Sequence, residues 1–353
     1  MIVRDVFYGV LALALAGSAL TGCGDKGKSS RSEKTQNSGP SRTVEKTKKP
    51  AGSLPPLNTE QVAAAEARGI KFAADKRTLE KYDKELPDTE CVIPDGVTEI
   101  GDKAFHGCKN LKSVTIPSSV ATIGKHAFEE CSGLTDVTIP EGVTEIGESA
   151  FCFCSNLTRV TVPGSVKKIG DWAFLNCCNL TNVAIENGVT EIGACAFNGC
   201  FALKNLTIPS SVTKIGLGAF VECRNLTHVT IPEGVTMIGP TAFMECKNLT
   251  HVTIPKGVKK IDGGTFENCS ALESVTIPEG VTKIDGMAFR RCVKLTHVTI
   301  PEGVTEIGPA AFMECKNLTH VTIPKSMKEI DGSAFMGCPC EESVRKQFPN
   351  YGK

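Results

Sequence analysis

The apolar residues of this chain recur with a fixed spacing of 23 residues over most of its length. From Ile93 onward, the same order of apolar and polar positions returns eleven times without an insertion. One column is isoleucine from Ile93 to Ile323, with Val162 as its exception. The phenylalanine and cysteine columns are unbroken and run from Phe105 to Phe335 and from Cys108 to Cys338. Such internal periodicity indicates a solenoid in which each unit forms one coil.

Within one unit the apolar spacing changes its period. The run Leu111-x-x-Val114-x-Ile116 alternates near its end, which is typical of a short strand. Pro117 closes that strand and a turn follows. The three-residue spacing of Ala-Phe-x-x-Cys in segment 127–131 favours one short helical turn. Each unit is therefore predicted to be a strand, a turn and a tighter return segment.

Stacked coils should align identical residues about 4.8 Å apart, the spacing of neighbouring strands. An isolated coil buries too little apolar surface to repay its ordering entropy, so only the stack should be stable. Eight positions per coil are predicted to face inward, and in the first full unit they are Val97, Ile100, Ala104, Phe105, Cys108, Leu111, Val114 and Ile116.

Residues 93–338 resemble leucine-rich repeats of the bacterial BspA type, with the signature I-P-x-x-V-x-x-I-G-x-x-A-F-x-x-C-x-x-L-x-x-V-T. The resemblance implies an α/β repeat fold: a curved solenoid with a parallel sheet on its concave side and short helical turns on the return side. It also implies a surface protein associated with adhesion and with host or matrix binding, without catalytic residues. The departures from the signature are Glu186, Asp262, Asp285, Asp331 and Thr265.

The two ends of the stack need caps, because a bare ladder exposes apolar surface and unpaired strand edges. Residues 59–92 are predicted to form an N-terminal cap of one short helix and a strand pair. Cys91 falls in the Val114 column and is expected to be buried there. Glu341 replaces the repeat leucine, and residues 339–353 are predicted to form a helical C-terminal cap.

The first residues of the chain are typical of an export signal. The apolar stretch 6–20 is shorter than the roughly 20 residues that span a bilayer, and small residues follow it. Leu20-Thr21-Gly22-Cys23 resembles the lipobox of bacterial lipoproteins. We therefore predict a signal peptide over 1–22, lipidation at Cys23 and a disordered tether over 23–58. An ordinary signal peptide, or a short membrane anchor with a chance cysteine, is the alternative.

Composition excludes several functional classes. The formal net charge is zero, which argues against a nucleic-acid-binding protein. No GxSxG, HExxH or glycine-rich phosphate loop is present, so the sequence predicts neither an enzyme nor a bound cofactor. From its N-terminal sequence, the chain is expected to be exported and lipid-anchored to the cell envelope, at the outer membrane or the cell surface.

Seventeen cysteines in an exported chain would normally suggest disulfides. Those of the repeat column, however, should keep their Cβ atoms about 4.8 Å apart, whereas a disulfide needs about 3.8 Å. We expect buried free thiols that act as small apolar residues. The state of the four cysteines outside the column stays open: Cys152, Cys178, Cys195 and Cys340.

Four of the six histidines share one column on the predicted solvent side of the strand: His228, His251, His297 and His320. Neighbouring histidines would lie about 5 Å apart, close enough to chelate a metal ion. Segments 226–255 and 295–324 are nearly identical, however, so duplication explains the recurrence and no metal site is predicted. A second hypothesis is that protonation of these histidines makes ligand binding depend on pH.

The predicted binding surface consists of exposed positions along the concave strands. Its candidate residues are His228, His251, His297, His320, Thr230, Thr253, Thr299, Thr322, Arg159 and Asp136. This surface is polar, mostly uncharged and broad, which favours a protein partner from the host, the matrix or the envelope. The alternative is a structural or self-associating envelope protein with no foreign ligand.

Overall fold

The computed structural model of the protein describes residues 55–351. Helix α1 (Thr59–Ala67) and helix α2 (Glu341–Gln347) lie at the two ends of this part of the chain. Between them each 23-residue coil contributes one strand to each of two ladders. The predicted signal peptide, the lipidation site Cys23 and the tether up to residue 54 lie outside the described residues.

The first ladder, called here the isoleucine ladder, contains two-residue strands that end in isoleucine. A preceding pair of strands, β1 (Lys71–Phe72) and β2 (Thr78–Lys81), is antiparallel, and β2 joins the ladder in parallel. The strands of the coils are β4 (Glu99–Ile100), β6 (Thr122–Ile123), β8 (Glu145–Ile146), β10 (Lys168–Ile169), β12 (Glu191–Ile192), β14 (Lys214–Ile215), β16 (Met237–Ile238), β18 (Lys260–Ile261), β20 (Lys283–Ile284), β22 (Glu306–Ile307) and β24 (Glu329–Ile330).

The second ladder, called here the threonine ladder, is the parallel sheet expected from the alternating apolar pattern. Its strands are β3 (Glu90–Val92), β5 (Ser113–Thr115), β7 (Asp136–Val137), β9 (Arg159–Val162), β11 (Asn182–Ile185), β13 (Asn205–Thr207), β15 (His228–Thr230), β17 (His251–Thr253), β19 (Ser274–Thr276), β21 (His297–Thr299) and β23 (His320–Thr322). Partner residues are 23 apart, as in Val160 with Val183. This register confirms the predicted stack of coils.

Strand pairing is interrupted at a few steps of the stack. The threonine ladder divides between β11 and β13, between β15 and β17, and between β19 and β21, and the isoleucine ladder divides between β16 and β18. At this last step the return segments remain bonded, since the Phe243 N–H donates to the Thr265 carbonyl at 2.9 Å. No substitution in the repeat explains all four interruptions.

The return segments are single hydrogen-bonded turns, and no helix is assigned between residues 93 and 338. In the first coil the Cys108 N–H donates to the Phe105 carbonyl at 3.1 Å, which closes one turn. Two residues of that segment, Lys103 and Gly107, have positive φ angles of 59° and 73°. A right-handed helix requires negative φ, so these positions stop the turn from propagating. The segments predicted to be short helical turns are therefore single hydrogen-bonded turns that do not continue into a helix.

The core is a continuous column of the predicted inward residues. All eight inward positions of the first full unit are at most 8% exposed. The phenylalanine rings stack from Phe105 to Phe335 with centroid separations of 4.8 to 5.6 Å. Tyr82 extends this stack at its N-terminal end, 5.2 Å from the ring of Phe105.

The repeat cysteines are buried free thiols, as the spacing argument predicted. Each from Cys131 to Cys338 also donates its S–H to a phenylalanine carbonyl of the preceding coil, at 2.9 to 3.4 Å. Cys91 pairs with Val114 and is 5% exposed. Of the cysteines outside the column, Cys152, Cys195 and Cys340 are free and buried.

Candidate functional site

The strands of the threonine ladder turn alternate side chains inward and outward. In β17, His251 and Thr253 are exposed, whereas Val252 between them is 4% exposed. The outward side chains form two columns, one containing Arg159 and His251 and the other containing the threonines. We call these two columns the outer strand face. All ten candidate binding residues lie on it, or in the case of Asp136 at a half-buried position of it.

The four histidines of this face are not equivalent. His297 and His320 are direct partners in the paired strands β21 and β23. His228 and His251 lie on β15 and β17, which belong to separate sheets, and their direct partners are Asn205 and Ser274. Strand pairing therefore holds His297 and His320 in register. Between the unpaired strands of His228 and His251, one backbone hydrogen bond remains at the preceding residues, from the Thr250 N–H to the Thr227 carbonyl at 3.4 Å.

Three of the histidines contact the threonine that precedes them in the chain. The distance from ring Nδ1 to the threonine Oγ1 is 3.0 Å for His228, 3.0 Å for His297 and 2.9 Å for His320. The hydroxyl of Thr319 donates to the carbonyl of Thr296 at 3.3 Å, so its oxygen is left to accept from the Nδ1–H of His320. That contact places the lone pair of the neutral ring on Nε2.

A row of threonine hydroxyls borders the outer strand face and ties each coil to the preceding one. Thr158 Oγ1 donates to the Thr135 carbonyl at 3.2 Å, and Thr181 Oγ1 donates to the Thr158 carbonyl at 3.0 Å. The same bond joins later coils at Thr227 and Thr250. These bonds add side-chain support to the ladder and hold the exposed columns in fixed positions.

The two charged candidates form a pair with each other. Arg159 donates from Nε and Nη2 to the two carboxylate oxygens of Asp136, at 3.2 and 3.0 Å. Both side chains remain substantially exposed, at 69% and 46%. Because the two charges offset each other, this part of the face presents a planar hydrogen-bonding group with little net charge.

A charged row on the isoleucine ladder was not anticipated as a group. Lys260 bridges Asp262 and Asp285 at 2.9 and 2.8 Å. Burial alone would raise the pKa of Asp285, but hydrogen bonds from Lys260 and the Gly286 N–H hold that pKa below its ordinary value. Both aspartates are departures from the glycine column, so the sequence did contain the signal for this row.

The described residues contain neither a larger cluster of metal-ligating side chains nor a membrane-spanning helix. Within residues 55–351, no group of three or more His, Cys, Asp or Glu side chains is placed to hold a metal ion. In the same part of the chain, no helix has the length and apolar character needed to cross a membrane.

Comparison with known proteins decides the family. A model described as a BspA-type leucine-rich repeat region of six copies matches residues 82–201, 173–296 and 236–347. These overlapping stretches cover well over half of the chain. The chain belongs to the BspA-type leucine-rich repeat family. The resemblance seen in the repeat signature is thereby confirmed, and with it the parallel-sheet solenoid of stacked coils that the resemblance implied.

Solved structures of bacterial repeat proteins are similar to this BspA-type chain. A leucine-rich repeat protein from Bacteroides ovatus is 29% identical, over 75% of this chain and 82% of its own, with a TM-score of 0.55. A leucine-rich cell surface protein from Faecalibacterium prausnitzii is 31% identical, over 76% of this chain and 90% of its own, with a TM-score of 0.49. No curated protein matches the chain.

Proposed function

We propose that this BspA-type repeat protein is an exported binding protein that engages a protein partner through the outer strand face. One observation carries the proposal: two columns of exposed polar side chains stand on a parallel ladder above buried valines. Short side chains on a stacked scaffold lose little conformational entropy when a partner docks. We further propose that the protein has no catalytic activity of its own, in keeping with its solenoid family.

The chemistry of this face favours a protein over other partners. Threonine, asparagine, serine and histidine supply donors and acceptors, and the charges of Asp136 and Arg159 offset each other. A nucleic acid would require a basic surface, and a stacked sugar would require exposed aromatic rings. The outer strand face offers neither, because its columns contain no aromatic residue and Arg159 as their one arginine.

The proposed location follows from the N-terminal sequence and the family. We propose export through the signal peptide over 1–22, lipid attachment at Cys23 and a tether over 23–58 that separates the cap and repeats from the membrane. The Faecalibacterium prausnitzii relative is described as a cell surface protein. A lipid anchor with a polar tether would give this chain a comparable exposure.

The first test combines surface accessibility with binding. Intact cells are treated with protease, and the purified full chain is then titrated against host and matrix proteins. We expect cleavage on intact cells and saturable binding of at least one protein. Thr230→Arg with Thr253→Arg should weaken that binding at least tenfold, because two bulky charges then project from the docking face.

The matched control places the same change on the other ladder. Thr213 and Thr236 are also exposed strand-bordering threonines, so Thr213→Arg with Thr236→Arg should leave binding unchanged. Equal loss in both variants would show that the outer strand face is not the docking site. Protection from protease, together with self-association in sedimentation experiments and no bound protein, would favour a structural envelope role instead.

A further inference from the structure

We propose that His297 and His320 form a two-histidine site for a divalent transition-metal ion of the Zn²⁺, Ni²⁺ or Cu²⁺ class. The site would lie on the outer strand face near the C-terminal end of the solenoid. Imidazole nitrogen is a preferred ligand for these ions. The remaining coordination positions would be filled by water, so the site needs no third protein ligand. This inference does not rest on the proposed function.

The first support is the register of the two strands. His297 and His320 are direct partners, and the flanking pairs Val298 with Val321 and Thr299 with Thr322 hold the same alignment. Neighbouring parallel strands lie about 4.8 Å apart. Two nitrogens bound to one ion at about 2.0–2.1 Å lie about 3 Å apart in adjacent positions. The proposed site requires the exposed rings to rotate until the two Nε2 atoms reach that separation.

The second support is the state of the rings. Nδ1 of each histidine is engaged by the hydroxyl of Thr296 or Thr319, at 3.0 and 2.9 Å. Within residues 55–351 neither Nε2 makes a hydrogen bond. A ligating histidine usually has its other nitrogen held by an oxygen, which orients the ring and strengthens the ligand. Thr319 supplies that arrangement for His320, and Thr296 supplies it for His297 in the tautomer whose proton is on Nδ1.

The third support is the fixed position of the last strand. The amide of Gln347 donates to the Val321 carbonyl at 3.2 Å and accepts from the Ile323 N–H at 3.4 Å. Strand β23 is therefore held by β21 on one side and by a side-chain amide on the other. The exposed residues beside the histidines, Thr299 and Thr322, are uncharged, so they add no positive charge that would repel a cation.

The test is a calorimetric titration of the full chain with Zn²⁺, repeated with Cu²⁺ as the stronger-binding ion. We expect saturable binding that His297→Asn or His320→Asn each weakens at least tenfold. The double variant should lose little more than either single variant, because chelation requires both rings. Asparagine already occupies this column at Asn182 and Asn205, so folding should be preserved.

His228→Asn with His251→Asn is the matched control, since those strands are not paired, and it should leave the titration unchanged. Thr319→Val removes the oxygen behind His320 and should weaken binding about tenfold. Thr135→Val removes an equivalent hydroxyl bond beside Asp136 and should have no effect. The proposal fails if the full chain binds neither ion saturably, if the single losses add independently, or if the control pair abolishes binding.

Discussion

Cysteine is suited to its column because it meets two requirements at one residue. The side chain must be small and apolar to fit the filled core, and its S–H donates to a phenylalanine carbonyl that already accepts another hydrogen bond. The Phe197 carbonyl, for example, accepts from the Cys200 N–H at 3.3 Å and from the Cys223 S–H at 3.4 Å. Alanine would fit but could not donate, and valine would add a methyl group to a filled core.

Glycine at the coil contact is required by space, and Gly216→Ala tests this. An added Cβ would lie 2.6 Å from the Gly193 carbonyl carbon, so the two coils would have to separate. We expect a loss of about 1–3 kcal/mol in the free energy of unfolding, measured by chemical denaturation. Gly263→Ala is the control, because its Cβ would meet only the Gly286 oxygen at 3.3 Å. Equal stability of the two variants would contradict the steric explanation.

The sequence predicted the inward residues well but not their hydrogen bonds. Burial follows from periodicity, so Phe105 and Cys108 could be placed in the core from spacing alone. The S–H bonds depend on the position of a carbonyl in another coil, which spacing does not determine. The histidine–threonine contacts escaped prediction for a similar reason, because the rotamer of His320 is decided by the backbone around Thr319.

At the scale of elements, the C-terminal end of the solenoid is closed by a side chain that substitutes for a missing coil. The Phe312 N–H donates to the Ala334 carbonyl of the next coil at 2.8 Å. Phe335 has no next coil, and its N–H donates instead to the hydroxyl of Tyr351 at 3.3 Å. Tyr351 is 6% exposed, and Arg345 of α2 covers its ring.

Tyr351→Phe isolates this terminal hydrogen bond. The ring and its contact with Arg345 remain, but the buried N–H of Phe335 loses its acceptor. An unsatisfied buried donor costs about 1–3 kcal/mol, so we expect the last coil to open more often. Hydrogen exchange should become faster at Phe335 and stay unchanged at Phe220 in the middle of the stack. Unchanged exchange at Phe335 would show that water replaces the hydroxyl without cost.

The elements that the sequence did not predict are those with the weakest local pattern. The strand around Val114 alternates over several residues, and it was expected. The isoleucine ladder consists of strands of two residues, such as Lys214–Ile215, whose pairing depends on neighbouring coils. The return turns were predicted to be helical because the three-residue spacing of Ala-Phe-x-x-Cys matches a helical turn. Residues with positive φ interrupt the helix there.

At the scale of the whole molecule, identical residues contribute the same effect many times. Burial raises the pKa of the column thiols from Cys154 to Cys292 above the ordinary thiol value of 9.0. A raised pKa in the folded state means that the thiol's contribution to stability is complete below pH 9. That contribution is lost as the pH rises from 9 toward the folded value, because only the unfolded chain releases the proton.

Repetition should therefore make the solenoid unusually sensitive to alkali. Because each of these thiols ionises only in the unfolded chain, each one reduces the free energy of unfolding by about 1.4 kcal/mol for every pH unit above 9. Several thiols act together. In the presence of a phosphine reductant, we expect the melting temperature to fall steeply between pH 9 and 11.

A variant with Cys200, Cys223 and Cys246 all changed to alanine should be less stable at pH 7. Above pH 9, however, its free energy of unfolding should fall less steeply with pH than that of the unchanged chain, because about three fewer protons are released on unfolding. Lysine and tyrosine titrate in both proteins, so their contribution cancels in the comparison. Identical slopes would mean that the column thiols ionise within the folded coils, which their burial against phenylalanine does not allow.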